Sequence, residues 1–326
     1  MAAAIDLRGV RKTFGEKVAV DNLDLTIPEG GLYGFIGPNG AGKTTTIRMI
    51  MSILFPDLGE VQVLGHGSAL DAKDRIGYLP EERGVYKKMK VWEFLRYMAV
   101  LKGVDGSKAR GMVKGWLEKV GLAEVEQKKC EELSKGMQQK IQFIAAVIHK
   151  PDLLILDEPF SGLDPVNMRL LRDLVLEEHR RGATVIFSTH VMVQAEQICE
   201  SVVMIHEGKK RLDDALSDVR RRFDPRTIRF EPLESTADVA ALKAVQGVTE
   251  VRHENGSCEI ALQEGMDPGD AIARLAAASP ASSIELHRPS LEDIFVAIVR
   301  DEVKDAEAAE RLRASVRAGA AMGGGS

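Results

Sequence analysis

The sequence predicts an α/β fold with an inserted helical block, followed by a small α+β domain. Three observations carry that expectation. Short apolar strands alternate with amphipathic helices through the first two thirds of the chain. A glycine loop at 37–44 joins one such strand directly to a helix. Beyond a basic, turn-rich stretch at 217–227, a second and more compact alternation of strands and helices begins.

Each element has a local reason. "AIDLRGVRKTF" and "VAVDNLDLTI" alternate polar and apolar residues, as half-buried antiparallel strands do. "GLYGFIG" reads as a short buried strand running into the glycine loop, and "KTTTIRMIMSIL" as the helix leaving it. Residues 91–149 are mostly helical, with "VWEFLRYMAVLKG", "SKARGMVKGWLEKVGL" and a helix beginning at "LSKGMQQK". Ser134 is a good N-cap for the last of these. Met137, Ile141, Ile144 and Ile148 follow at helical spacing, which predicts one buried face. Strands return with "DLLILDEP" and "GATVIFSTH", on either side of an amphipathic helix around "NMRLLRDLVLEEHRR".

After the expected linker come strand "TIRFE", helix "TADVAALKAVQ", strand "VTEVRHE", the hairpin signal Asn255-Gly256 and strand "SCEIALQ". Helix "PGDAIARLAAA", strand "SSIELH" and helix "SLEDIFVAIVR" complete a β-α-β-β-α-β order that looks ferredoxin-like and holds no catalytic constellation. Residues 301–326 read as a charged, flexible tail whose terminal "GGGS" resembles an appended linker.

Composition limits the function classes. At 326 residues, with 29% charged and 44% hydrophobic residues, the chain suits a soluble protein of more than one domain. A net charge of −5 argues against a general nucleic-acid binder, so no nucleic-acid partner is expected. Cys130, Cys199 and Cys258 are far apart and form no CxxC pair, which disfavours a disulfide framework or zinc site and suits a reducing compartment. No apolar run approaches the roughly 18 residues of a membrane span, and no secretory leader pattern is present. A cytoplasmic protein is expected, peripheral to a membrane at most through partners.

Two stretches carry chemistry. "GPNGAGKTT" matches G-x-x-x-x-G-K-[ST] from Gly37 to Thr44, between a strand and a helix as that motif demands. Gly37, Gly40 and Gly42 let backbone N–H groups turn inward around phosphate oxygens, with Pro38, Asn39, Ala41 and Thr45 completing the cradle. Lys43 adds a cation near the β/γ-phosphates, and Thr44 offers a hydroxyl to Mg²⁺. ATP and Mg²⁺ are therefore the expected cofactors. "LLILDEP" places Asp157 and Glu158 at the end of a buried strand, where adjacent carboxylates are costly unless they face a metal or water. Asp157 would hold Mg²⁺ and Glu158 would act as general base toward a water. His190, in "STH", ends the next strand on the same sheet edge and is a candidate γ-phosphate contact. Ser161 to Asp164, "SGLD", suit a turn into a helix.

With these motifs in order, residues 5–215 resemble the nucleotide-binding subunit of an ATP-binding cassette (ABC) transporter. The P-loop (Walker A) falls at 37–44, a signature loop at 133–137, Walker B at 153–158, a D-loop at 161–164 and a switch histidine at His190. The resemblance implies a P-loop cassette with a mixed sheet, an antiparallel β subdomain and a helical subdomain about 83–150, within a domain at 1–218. It leaves a small accessory domain at 224–300. It further implies a head-to-tail dimer, in which Ser134 and Gly136 close over the γ-phosphate held by a second copy's P-loop, with Asp164 of the D-loop also bordering the nucleotide. Phe14 would stack on adenine where relatives commonly have Tyr.

Three positions depart from the usual pattern. Lys135 and Met137 stand where the signature LSGGQ has Gly and Gln, and Glu81 in "GYLPEERG" stands where the Q-loop has Gln. Glu81 can still ligate Mg²⁺, more strongly by charge. These variants, with the small C-terminal domain, resemble the drug, sodium and lipid exporter branch. Tyr86, Trp92 and Phe94 are either candidate contacts for separately encoded transmembrane subunits or packing residues of the helical subdomain. The expected function is ATP hydrolysis that drives export. The alternative is a soluble, non-transport cassette ATPase, which would normally carry long coiled coils or two cassettes in one chain, and neither is present. A P-loop kinase would have no use for the signature loop.

Overall fold

The computed structural model describes residues 2–300 apart from Arg83, Pro225, residues 234–238, Asn255 and Glu264. The chain divides into two compact units, one reaching to Ala215 and the other starting at Leu216.

In the first unit, strands β1 (Ala3–Phe14) and β2 (Lys17–Pro28) form an antiparallel hairpin closed by Gly15 and Glu16. Strand β3 (Leu32–Ile36) leads into helix α1 (Lys43–Ile50), and β4 (Leu58–Val63) returns to pair antiparallel with β1. There follow β5 (Ile76–Leu79), helices α2 (Val91–Leu101), α3 (Gly106–Lys119) and α4 (Lys135–Val147), β6 (Leu153–Asp157) and α5 (Pro165–Arg180). The unit ends with β7 (Thr184–Thr189), α6 (Met192–Ile198), β8 (Ser201–His206) and β9 (Lys209–Ala215). One sheet has the order β2-β1-β4. The other runs β5-β6-β7-β3-β8-β9, with β5 through β8 parallel and β9 antiparallel on the edge. The expected mixed sheet, antiparallel subdomain and helical block are all present.

Helix α1 lies between the two sheets. Its Ile47, Met49 and Ile50 share one buried cluster with Ile5, Leu7, Leu25 and Ile27 of the small sheet. Ile155, Ile186, Val203 and Ile205 of the large sheet close it from the other side. Burying each such side chain contributes roughly 1.5–3 kcal/mol, so the helix behind the glycine loop is clamped on two faces. It stops at Ile50, short of the expected "KTTTIRMIMSIL", because Ser52 takes a left-handed φ of 54°.

Helix α4 departs from the amphipathic expectation. All residues from Ile141 to Ile148 are buried, whereas Met137 is only half-buried, so its C-terminal half is a core helix rather than a one-faced one.

The second unit comprises α7 (Leu216–Arg222), β10 (Thr227–Pro232), α8 (Val239–Lys243), β11 (Val248–Glu254), β12 (Ser257–Leu262), α9 (Pro268–Ala278), β13 (Ala281–Leu286) and α10 (Leu291–Arg300). Its sheet order β11-β12-β10-β13 is antiparallel throughout and is the ferredoxin-like arrangement. Ile228, Phe230, Ile260 and Leu262 of the sheet pack against Leu242, Ala271 and Leu275. The stretch expected as a linker opens instead with helix α7, since Leu216, Val219 and Phe223 are buried at helical spacing. Asn255 of the expected hairpin signal, and the tail from Asp301, lie outside the described residues. Among the described residues no helix is long and apolar enough to cross a membrane.

Candidate functional site

The glycine loop is shaped by what surrounds it. A Cβ on Gly37 would sit 2.1 Å from the carbonyl oxygen of Ile205, and one on Gly42 would sit 2.5 Å from that of Ala19. Both also have positive φ, so neither position admits a side chain without moving backbone. Lys43, 5% exposed, folds back to donate to the carbonyls of Gly37 (2.7 Å) and Pro38 (3.1 Å). Burial lowers its pKa, while the carboxylates of Glu158, Asp157 and Glu81 act in the opposite sense.

Strand β6 delivers its two carboxylates to the same spot. Asp157 is 1% exposed, and its Oδ1 accepts hydrogen bonds from Ser188 Oγ (2.5 Å) and Thr44 Oγ1 (3.3 Å). Its Oδ2 is buried without a hydrogen-bond partner among the described residues. A buried carboxylate oxygen left over beside a threonine hydroxyl is a donor set that fits a hard cation such as Mg²⁺. Glu158 follows with a left-handed φ of 49°, a conformation that costs a non-glycine residue on the order of 1–3 kcal/mol. Its N–H is held by Ser188 Oγ (3.1 Å) and the Ser188 carbonyl (3.2 Å). The side chain turns so that Oε1 lies 2.9 Å from His190 Nδ1 and 3.8 Å from Lys43 Nζ.

Around these groups opens a cleft of about 360 Å³, lined by Phe14, Asn39, Gly40, Thr44, Thr45, Glu81 and Glu158, with Lys17 and Ala19 added from β2. Phe14 is 52% exposed. Gly37 and Pro38 contribute the carbonyls that hold Lys43, and Ala41 is buried beneath the loop.

Ser134 and Gly136 are not among the residues lining this cleft. They open α4, where Ser134 Oγ accepts from Met137 N (3.3 Å) as the expected N-cap. Gly136 faces Asn167 and Leu163: an added Cβ would lie 3.4 Å from Asn167 Nδ2. Asp164 caps α5, accepting from Asn167 N and Val166 N at 3.0 Å each and from the Asn167 side-chain amide, and these bonds, those from Asn167 first, hold its carboxyl below the usual range. The aromatic trio expected to meet a partner separates. Phe94 is 2% exposed and belongs to the helical core, Trp92 is half-buried with Arg110 over its ring, and Tyr86 is exposed, edge-on to Phe94 and Tyr97.

Ser188 is the site residue that sequence reasoning passed over, although it lies inside the quoted "STH". A serine in a fully buried strand must spend its hydroxyl on a partner, and that is the signal the sequence offers.

A family model described as ABC transporter matches residues 20–161, and one described as the C-terminal domain of DrrA1-3-like ATP-binding proteins matches 215–299. The uncharacterized ABC transporter ATP-binding protein YhaQ of Bacillus subtilis (strain 168) is 42% identical over 287 residues, spanning 88% of this chain and 95% of the relative. The Nod factor export ATP-binding protein I of Burkholderia lata is 33% identical over 318 residues, spanning 93% and 99%. A solved structure titled as the ATP binding subunit of an ABC transporter superposes with a TM-score of 0.63 at 28% identity, covering 68% of this chain and 93% of its own.

Proposed function

The chain belongs to the family of ABC transporter ATP-binding subunits, and on that premise we propose that two copies close head to tail around two ATP molecules to drive export through separately encoded membrane subunits. ATP binding and hydrolysis coupled to transport are the activity of the family, and its exporter-type relatives include a protein named for Nod factor export. The observation that carries the dimer reading is spatial. One chain's cleft holds the P-loop, Glu158 and Glu81, while Ser134 and Gly136 sit outside it. A second copy facing the other way would bring its Ser134 loop, at the positive end of α4, to the γ-phosphate.

In this reading Phe14 supports adenine, the backbone of residues 37–45 surrounds the phosphates, and Lys43 balances their charge. Glu158 receives the proton of the attacking water, with His190 orienting that carboxylate and contacting the γ-phosphate. Thr44, Asp157 and Glu81 would hold Mg²⁺, which when bound neutralises charge between the β- and γ-phosphates. Asp164 shapes the loop between the two copies through its cap on α5. Tyr86 and Tyr97, exposed and edge-on to each other, are the surface offered to the membrane subunits, with Phe94 packed against Tyr86 from the core. The protein would then reside on the inner face of the cell membrane. The deciding experiment is purification from detergent-solubilised membranes. Recovery of a multi-span partner with two copies of this chain supports the reading, and a chain that stays free of any membrane protein refutes it.

A further inference from the structure

We propose that Asp57 and Lys12 form a positioning device for the nucleobase platform at Phe14, setting the distance between the ring and the phosphate loop. The inference rests on the reading of Phe14 as the adenine-stacking residue.

The geometry is unusually concentrated. Asp57 Oδ2 accepts from both Thr13 N and Thr13 Oγ1 at 2.7 Å, and its Oδ1 accepts from Lys12 Nζ at 2.7 Å. Asp57 N donates to the Arg11 carbonyl at 2.8 Å. One residue thus bonds to each of the three residues that precede Phe14. Its carboxyl is held down to about 2, by the Lys12 ammonium first and the Thr13 groups next. Pairing of β1 with β4 ends at Arg11 and Leu58, so on that side Asp57 is the last tie before the hairpin tip.

The other end of the device is the P-loop helix. Ile53 N and Leu54 N donate to the Arg48 carbonyl of α1 at 2.9 and 3.0 Å, which fixes the segment that carries Asp57 to that helix. A continuous path therefore runs from the phosphate loop through α1 and Asp57 to Thr13 and Phe14. Lys12 Nζ also stands 5.8 Å from the Phe14 ring centroid, within reach of a cation–π contact. Lys12 is not among the residues lining the cleft, so its ammonium braces the ring without occupying the nucleotide's space. A phenylalanine has no hydroxyl with which to fix its own position. A ring held in place before binding costs the nucleotide less ordering than a mobile one.

The test compares ATP with inorganic tripolyphosphate, which carries the phosphates and no base, by calorimetric titration of the full chain with Mg²⁺. Asp57→Asn keeps the shape but turns an amide N–H toward donors, and Lys12→Met removes the ammonium while leaving the Thr13 bonds intact. Each is expected to weaken ATP binding about three- to tenfold and to leave tripolyphosphate binding unchanged. Phe14→Ala should weaken ATP binding at least as much, and Asp57→Asn should add nothing in the Phe14→Ala background. A silent Asp57→Asn and Lys12→Met beside an effective Phe14→Ala overturns the positioning role alone. A silent Phe14→Ala overturns the platform reading itself. Weakened tripolyphosphate binding in Asp57→Asn and Lys12→Met, or losses additive with Phe14→Ala, would assign these residues a merely structural role.

Discussion

His190 Nδ1 stands 2.9 Å from Glu158 Oε1, and the histidine side chain is 42% exposed while the glutamate is buried. The two arrive from the ends of neighbouring parallel strands, β7 and β6, whose register is set by Asp157 pairing with Ser188. In the proposed reading this buried, backbone-strained carboxylate, braced by an imidazole, would take the proton of the attacking water, and Ser188 holds its strained peptide.

Glu158→Gln should therefore retain ATP binding, lose about 10² to 10⁴ in turnover and accumulate an ATP-bound dimer. Steady-state ATPase assays combined with size-exclusion chromatography in ATP check this. Turnover at the wild-type rate would remove Glu158 from the role of base.

Trans action of the signature loop makes a complementation prediction. In a mixture of Lys43→Ala and Ser134→Ala chains, a heterodimer has one cleft carrying both lesions and one carrying neither. Activity should rise above that of either variant alone and peak near equal proportions. Loss of the Ser134 cap costs roughly 1 kcal/mol of helix stability, too little to unfold the chain. Mixtures that never exceed the parent variants, under conditions where subunits exchange, argue that each chain works alone.

The Oδ2 of Asp157, without a hydrogen-bond partner among the described residues, leads to a metal prediction. Mn²⁺ in place of Mg²⁺ should give an electron paramagnetic resonance signal that is perturbed by the wild-type chain with ATP. Asp157→Asn should weaken that binding by an order of magnitude or more, because an amide is a poorer ligand for a hard cation. Chelation with EDTA should stop hydrolysis in the wild type. An unchanged Mn²⁺ signal in Asp157→Asn would place the cation elsewhere.

Much of this site was legible because its parts are contiguous. A glycine loop needs its residues in fixed succession, and a strand-end Asp-Glu pair is conspicuous after "LLIL". What escaped depends on distance along the chain. Asp57 meets Thr13 across 44 positions and Ser188 meets Asp157 across 31, and neither pairing leaves a local pattern. Strand β9, "KKRLDDA", is charged as edge strands tend to be, which hides it from an alternation search. Helix α7 was masked by its arginines, although Leu216 and Val219 are buried beneath them. Whether Phe94, Tyr86 and Trp92 face a partner or pack inward has no local sign either, and only packing separates the three.

Burial of His149 predicts an acid sensitivity unrelated to catalysis. Its Nε2 lies 3.2 Å from the Ile76 carbonyl, which also accepts from Lys102 Nζ at 2.9 Å, and its Nδ1 is buried without a hydrogen-bond partner among the described residues. Burial first, then the Lys102 ammonium, push its pKa from 6.5 down to about 4. The unfolded chain therefore binds the proton more readily, so stability falls as pH drops through the window from 6.5 to 4. Between pH 7 and pH 5 this one group should cost on the order of 1–2 kcal/mol. His149→Gln keeps a donor for the Ile76 carbonyl and cannot titrate, so its urea midpoint should fall less over the same interval. Parallel declines in the two proteins would mean that the imidazole is not the group whose protonation weakens the fold.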